Sequence, residues 1–515
     1  MNRIHNQLPA LKDLSAHNAA KSGDSIAFED ATESVTWDEF EERSREAANV
    51  FGEYVSKGDR IAFLSKPSVE HAILFNGALK AGAVTTNLHN RIAPDSFRQC
   101  LDKTKPKIAV VDSELSESFA AMVESEQLER LTAVFSTGEP KQAYETALSP
   151  RLADAEPVAP DVLVEEDDVV TIAWTSGSTG HPKGWCHTNR TMFLKGMELG
   201  TRSGFTRSDK QLVVNRPSFL IWTSFLTRSL LGCESTYYMP EWDPERWLEI
   251  VDERDITRAV LVPTMWNEIL DSGPEDYDLE SLRSINSTGE KLSPSTLSDL
   301  RDRICENITQ SYGSTEIHST VLYNNELTEE RIESVGKPQS GTEVRIVDPD
   351  GTVDDTLDPN ESGEIVVKSY QAPAWMWEDE RGEAAFEEGW WRSGDKGYLD
   401  EEGFLYIEGR IDFQIKSRGV KITPAPIEEE LERHPEVTNA AVVGVDDEEY
   451  GQKVTAIVEG NGDLTEDSLD AWMQDSESVA DHERPRAYHF VTAIDRTPSG
   501  KLDRQGTKHR LGLDR

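Results

Sequence analysis

The segment richest in chemistry is Thr175–Gly184, TSGSTGHPKG, which leaves the apolar run Val169–Trp174, VVTIAW. Gly177, Gly180 and Gly184 let backbone N–H groups approach an anion closely. Thr175, Ser176, Ser178 and Thr179 add hydroxyl donors, and Lys183 adds positive charge. A strand running into such a loop is a phosphate cradle. It is not a Walker A loop, because Pro182 precedes Lys183 where GxxxxGK[ST] requires glycine. The bland alternative is a flexible surface loop, but linkers rarely emerge straight from an apolar strand.

The elements that position this loop follow from periodicity. Apolar residues at helical spacing predict helices over Trp37–Phe51 and Ser68–Ala81, with compact strands at Arg60–Leu64 and Lys107–Val111. That βαβα rhythm predicts a parallel or mixed sheet covered by helices. Residues 145–167, rich in Pro, Ala and acid, read as a surface connection. Beyond the loop, Arg258–Val262 and Asn307–Ser311 read as strands and Ser293–Arg303 as a helix. From about 335 the texture changes to short strands (Val344–Val347, Glu364–Lys368, Phe404–Ile407) between Gly, Asp, Pro and Asn turns, which predicts a small barrel or sandwich. After Gly409 another unit of about 100 residues begins, near the usual domain size. Its first helix is marked by Pro424 and Pro426 near the start and by His434 and Pro435 at the end, and strands Ala440–Val445 and Val454–Val458 follow. The expected architecture is α/β: a large N-terminal domain, 1–409, of helix-covered sheets with a small β-barrel-like sub-domain, then a small α+β domain, 410–515.

Composition bounds the partners. The chain has 515 residues and a formal net charge of −43, from 96 Asp+Glu against 53 Lys+Arg. Phosphate backbones and anionic membranes both call for Lys and Arg, so nucleic acid and membrane-surface binding are disfavoured. With about 21 lysines against about 32 arginines, the imbalance reflects surplus carboxylates and scarce lysine. Such a surface suits a solvent in which charge is screened within roughly 3 Å, as in molar salt. The expectation is a cytoplasmic protein of a salt-accumulating organism, with an ordinary acidic protein as the alternative. Cys100, Cys186, Cys233 and Cys305 are scattered and suggest neither a disulfide framework nor a zinc site. No secretory signal is read at the start, and no run approaches 18 apolar residues.

Further strings fall in a telling order: Ser287–Leu292 (STGEKL), Tyr312–Glu316 (YGSTE), Ser393–Asp395 (SGD), Gly409–Asp412 (GRID), Ile415–Gly419 (IKSRG) and Thr497–Lys501 (TPSGK). Together with the glycine-rich loop they resemble the adenylate-forming superfamily of acyl- and aryl-CoA synthetases, luciferases and peptide-synthetase adenylation domains. Each string alone is weak; the set in order, over about 330 residues, is specific.

The resemblance implies a site, residue by residue. Thr175, Ser176, Gly177, Ser178, Thr179, Gly180 and Lys183 would hold phosphates, and Gly289, Glu290 and Lys291 would lie on the adenine side. Tyr312 would offer a face to adenine, and Asp395 would accept from the ribose hydroxyls. Thr315 would donate to the α-phosphate. Glu316, costly beside three phosphates unless it holds a cation, would ligate Mg²⁺. Lys501 would stabilise the charge that develops as a carboxylate attacks the α-phosphate. Relatives rotate the small domain about a hinge that maps to Asp412, turning the face around Lys416 and Gly419 inward for CoA, and Arg410 would add positive charge at the site.

Two departures stand out. Leu220 takes the place of a histidine common in related CoA ligases, and Phe413 follows Asp412 where many relatives carry a second acid. Gly313 stands where acetate-specific relatives have a bulky tryptophan, so a larger pocket is expected, with Leu220, Trp222 and Met265 as candidate walls and core packing as the equal alternative. The implied activity is an AMP-forming acyl-CoA synthetase acting on a medium- or long-chain fatty or an aryl acid, with ATP, Mg²⁺ and CoA. The alternatives are an adenylase that delivers to a carrier protein or an amine, and a non-catalytic nucleotide-binding protein. The sequence leaves a homodimer open.

Overall fold

The computed structural model describes residues 8–176, 182–204, 206–322, 331–378, 385–418, 420–447, 450–460, 464–476, 479–497 and 502–514. Thr36 opens the first long helix, Trp37–Gly52. Its hydroxyl accepts from the Glu39 N–H while the Glu39 carboxylate accepts from the Thr36 N–H, a reciprocal capping box. Trp37, Phe40, Ala47, Ala48, Val50 and Phe51 recur at helical spacing and are buried. This face packs on the helix Val69–Lys80, whose N-cap is Ser68.

Two large sheets follow. The first has eight strands, in spatial order Trp375–Met376, Pro182–Thr188, Val169–Ser176, Val84–Asn87, Arg60–Leu64, Ile108–Val111, Ala133–Ser136 and Glu145–Ala147. It is parallel from Val169–Ser176 to the last strand and antiparallel at the other edge. The second has nine strands, of which Ile308–Ser314, Ser284–Thr288, Arg258–Leu261, Lys210–Val213, Ser235–Tyr238 and Ile26–Glu29 are parallel neighbours in that order. Strands such as Ile108–Val111 are apolar throughout because both sheet faces are covered.

The expected surface connection over 145–167 is more ordered at its start: Glu145–Ala147 is an edge strand and Ser149–Ala153 a short helix. Three residues are too few to show a period, so the sequence carries no strand signal there.

The expected small β unit is a five-stranded antiparallel sheet of Thr342–Val347, Gly363–Ser369, Trp390–Leu399, Phe386–Glu387 and Leu405–Arg410. A short 3₁₀ turn, Ile411–Phe413, leads out of it. The last sheet comprises Val420–Ile422, Ile415–Ser417, Gly451–Gly460, Val437–Asp447 and Ala487–Val491. The helices Pro424–Glu432 and Glu466–Asp475 bury Ile427, Leu431, Leu469 and Met473 against it. All four cysteines are buried and unpaired. Among the described residues no helix is long and apolar enough to cross a membrane.

Candidate active site

The described ends of the glycine-rich segment belong to two antiparallel strands. Val169–Ser176 returns as Pro182–Thr188, with Thr175 opposite Lys183 and Ser176 opposite Pro182. Gly177, Ser178, Thr179 and Gly180 lie outside the described residues. The returning strand is held from outside: Lys103 Nζ donates to the Pro182 carbonyl at 2.9 Å, and the Trp377 N–H to the Gly184 carbonyl at 2.7 Å.

Open α/β sheets bind ligands beyond the carboxyl ends of their strands, and here both large sheets turn those ends toward one seam. Lys66, just after Arg60–Leu64, pairs with Glu241, just after Ser235–Tyr238 in the other sheet, at 2.9 Å. Arg216 joins the same seam, 3.5 Å from Glu241 and 3.4 Å from Asn90.

Along the second sheet the predicted residues also occupy carboxyl ends. Ser284–Thr288 runs into Gly289, at φ +96°, then Glu290 and Lys291. The helix Pro263–Asp271, with half-buried Met265, follows Arg258–Leu261, and the helix Leu220–Gly232 follows Lys210–Val213. Ile308–Ser314 pairs with His318–Leu322, and the register shifts between Tyr312 and Gly313. Thr315 and Glu316 lie in the turn between these strands.

The structure joins three predicted residues directly. The Tyr312 hydroxyl donates to Asp395 Oδ2 at 2.6 Å, and Arg410 Nη1 lies 3.2 Å from Asp395 Oδ1 and 2.6 Å from the Ser393 carbonyl. Asp395 and Arg410 are cross-strand partners. Gly394, at φ +70°, makes this possible, since a Cβ there would come within 2.9 Å of the Arg410 guanidinium. Burial, then the Asp395 charge, pushes the Tyr312 phenol well above its usual range.

Glu316 is half-buried, with Oε1 taking the Trp185 indole N–H at 3.1 Å and no further side-chain partner among the described residues. An acid with one oxygen occupied and one available suits a cation that brings its remaining ligands with it. Among the described residues no cluster of three or more His, Cys, Asp or Glu could form a protein-only metal site.

Other expected residues are placed differently. Lys291 Nζ pairs with Glu429 of the last unit at 3.2 Å. Lys416 is exposed, its N–H donating to Gln452. Asp412 lies in the 3₁₀ turn, with its side chain outside the described residues, as are Gly419 and Lys501. Trp222, expected as a pocket wall, is a core residue: wholly buried, its ring 4.6 Å from His71, 5.4 Å from Phe75 and 6.0 Å from Tyr238. Its period matched a wall and a core equally well. Leu220, almost buried, begins the same helix.

Comparison with known proteins decides the family. The chain matches the AMP-binding enzyme family over residues 15–373 and the AMP-binding enzyme C-terminal domain over 426–501. The chain belongs to the AMP-binding enzyme family. Acetyl-coenzyme A synthetase of Bacillus subtilis is 27% identical over 517 residues, 96% of this chain and 89% of that protein. A 2-succinylbenzoate–CoA ligase of Bacillus licheniformis is 27% identical over 470 residues, 90% of this chain and 92% of that protein. An anthranilate CoA ligase solved with anthranoyl-AMP shares the fold at a TM-score of 0.89 and 23% identity, over 98% of each chain. The adenylate-forming assignment expected from the motif order and the α/β fold expected from the alternating strands and helices therefore hold.

Two residues of this AMP-binding enzyme were not singled out by the sequence. Trp185, directly after the Pro182–Gly184 string, reads as an ordinary strand residue until its N–H is seen on Glu316. His89, just after Val84–Asn87, packs edge-on against Phe219 with ring centroids 5.2 Å apart. Only a contact map could have revealed either.

Proposed function

We propose that this AMP-binding enzyme converts a carboxylic acid, ATP and CoA into an acyl-CoA thioester, AMP and pyrophosphate through an acyl-adenylate. The observation that carries it is the assembly of Tyr312, Asp395 and Arg410, with Tyr312 on the strand that leads into the Thr315–Glu316 turn. In this reading the hairpin from Thr175 to Lys183 cradles the phosphates and Asp395 takes the ribose hydroxyls. Thr315 donates to the α-phosphate, and Glu316 holds Mg²⁺, which offsets phosphate charge when bound. Lys501 meets the charge that develops at the α-phosphate, where it is worth most. Excluding water protects the reactive mixed anhydride.

The unit 1–409 forms the adenylate and the unit 410–515 moves about Asp412 between the two half-reactions, turning Lys416 and Gly419 toward CoA while Arg410 adds positive charge beside Asp395. Gly313 leaves the acid pocket open, which supports a fatty or aryl acid over acetate. Leu220 and Met265 remain candidate walls. A cytoplasmic setting at high salt accords with the acidic surface.

The test is a panel of acids from acetate to long-chain and aryl, assayed in molar KCl for acid-dependent pyrophosphate exchange and for CoA thioester. Exchange and thioester with a larger acid are expected. No exchange with any acid would reject the function, and exchange without thioester would reassign the acceptor to an amine or a carrier protein. Lys501→Ala should cripple exchange yet spare thioester formation from supplied acyl-AMP; equal loss in both steps would remove its assigned role.

A further inference from the structure

Trp185 stands on the strand Pro182–Thr188, directly after Gly184, and is wholly buried. Its ring packs edge-on against Trp391 at 5.8 Å and Phe386 at 6.2 Å between centroids. Trp391 belongs to Trp390–Leu399, the strand that carries Asp395. One side chain therefore touches the hairpin, the Glu316 turn and the Asp395 strand.

An indole N–H only donates, and a ring clamped on its edges cannot turn that donor elsewhere. Its acceptor is Glu316 Oε1, at 3.1 Å. A hydrogen bond to a carboxylate is stronger than one between neutral groups, so it can select one carboxylate orientation.

We propose that Trp185 is a positioning residue for cation binding: its N–H holds one oxygen of Glu316 so that the other is offered to the divalent cation that arrives with ATP. The proposal rests on reading Glu316 as the cation ligand. A phenylalanine at 185 keeps an aromatic ring but loses the donor, whereas a neutral histidine is smaller still yet keeps a donor at comparable reach, so recovery with histidine cannot come from packing.

The experiment titrates Mn²⁺, followed by electron paramagnetic resonance, into the full chain with ATP at pH 8 in molar KCl. W185F should bind Mn²⁺ about tenfold more weakly than the unaltered protein, and W185H should recover to within about threefold. Equal weakening in both variants would make Trp185 a packing residue only, and no weakening in either would also overturn the proposal. Should a variant not fold, the indole ¹H–¹⁵N spectrum of the unaltered protein decides. Mn²⁺ with ATP should broaden an indole signal protected from exchange, and no broadened indole signal would overturn the proposal. If the unaltered protein binds no Mn²⁺ with ATP, the proposed function fails too; if it binds and W185F binds equally, only the role of Trp185 fails.

Discussion

The Tyr312 hydroxyl donates a hydrogen bond to Asp395, and that contact orients the acid that would receive a ribose. Tyr312→Phe keeps the ring and removes the donor, so the KM for ATP should rise about tenfold with kcat within about twofold. Steady-state kinetics over ATP concentration check this, and an unchanged KM would make the contact incidental. Glu70 offers a stability test away from the site. Burial, and then the charges of Asp112, Glu33 and Asp30 against an opposing Arg43, push its carboxyl up to about 7 from 4.5. Below pH 4.5 the group is neutral folded or unfolded, so its burial costs nothing; between 4.5 and 7 the unfolded chain ionises first, and stability falls. Glu70→Gln should therefore raise the melting temperature at pH 8, by up to about 3 kcal/mol of stability, and change little at pH 4.5. Melts at the two pH values check this, and an equal effect at both would refute the shift.

At the scale of elements, capped and periodic segments were legible. Trp37–Gly52 carries its own start signal in Thr36 and Glu39, and Arg60–Leu64 matches its apolar run residue for residue. Edge pairs such as Trp375–Met376 were not legible, because two residues have no period and are strands only by virtue of the partner they meet. The candidate site was legible as an ordered set of strings, since backbone chemistry fixes which residue types can grip phosphate. The bond between Trp185 and Glu316, 131 residues apart, was not, because no local spacing encodes it. The turn Ile411–Phe413 is the element on which the proposed domain motion depends. Proline fixes φ, so Asp412→Pro should leave pyrophosphate exchange within about threefold and cut thioester formation at least about tenfold. Assaying the half-reactions separately checks this, and unchanged turnover would dismiss the hinge.

At the scale of the molecule, the formal charge of −43 surrounds a site meant for polyanions. Screening within roughly 3 Å at molar salt removes that long-range repulsion and leaves short contacts such as Lys66–Glu241 to act. Activity and melting temperature should both rise from dilute buffer toward molar KCl; an optimum in dilute buffer would contradict a surface built for high salt. The residues assigned to the nucleotide come from three different sheets: the hairpin from one, the Thr315–Glu316 turn from the second, Asp395 and Arg410 from the third. A ligand gripped by all three acts as a removable rivet, added to the packing and hydrogen bonds that already join them. The resting enzyme is then the fragile one, and the working enzyme is braced by the molecule it consumes.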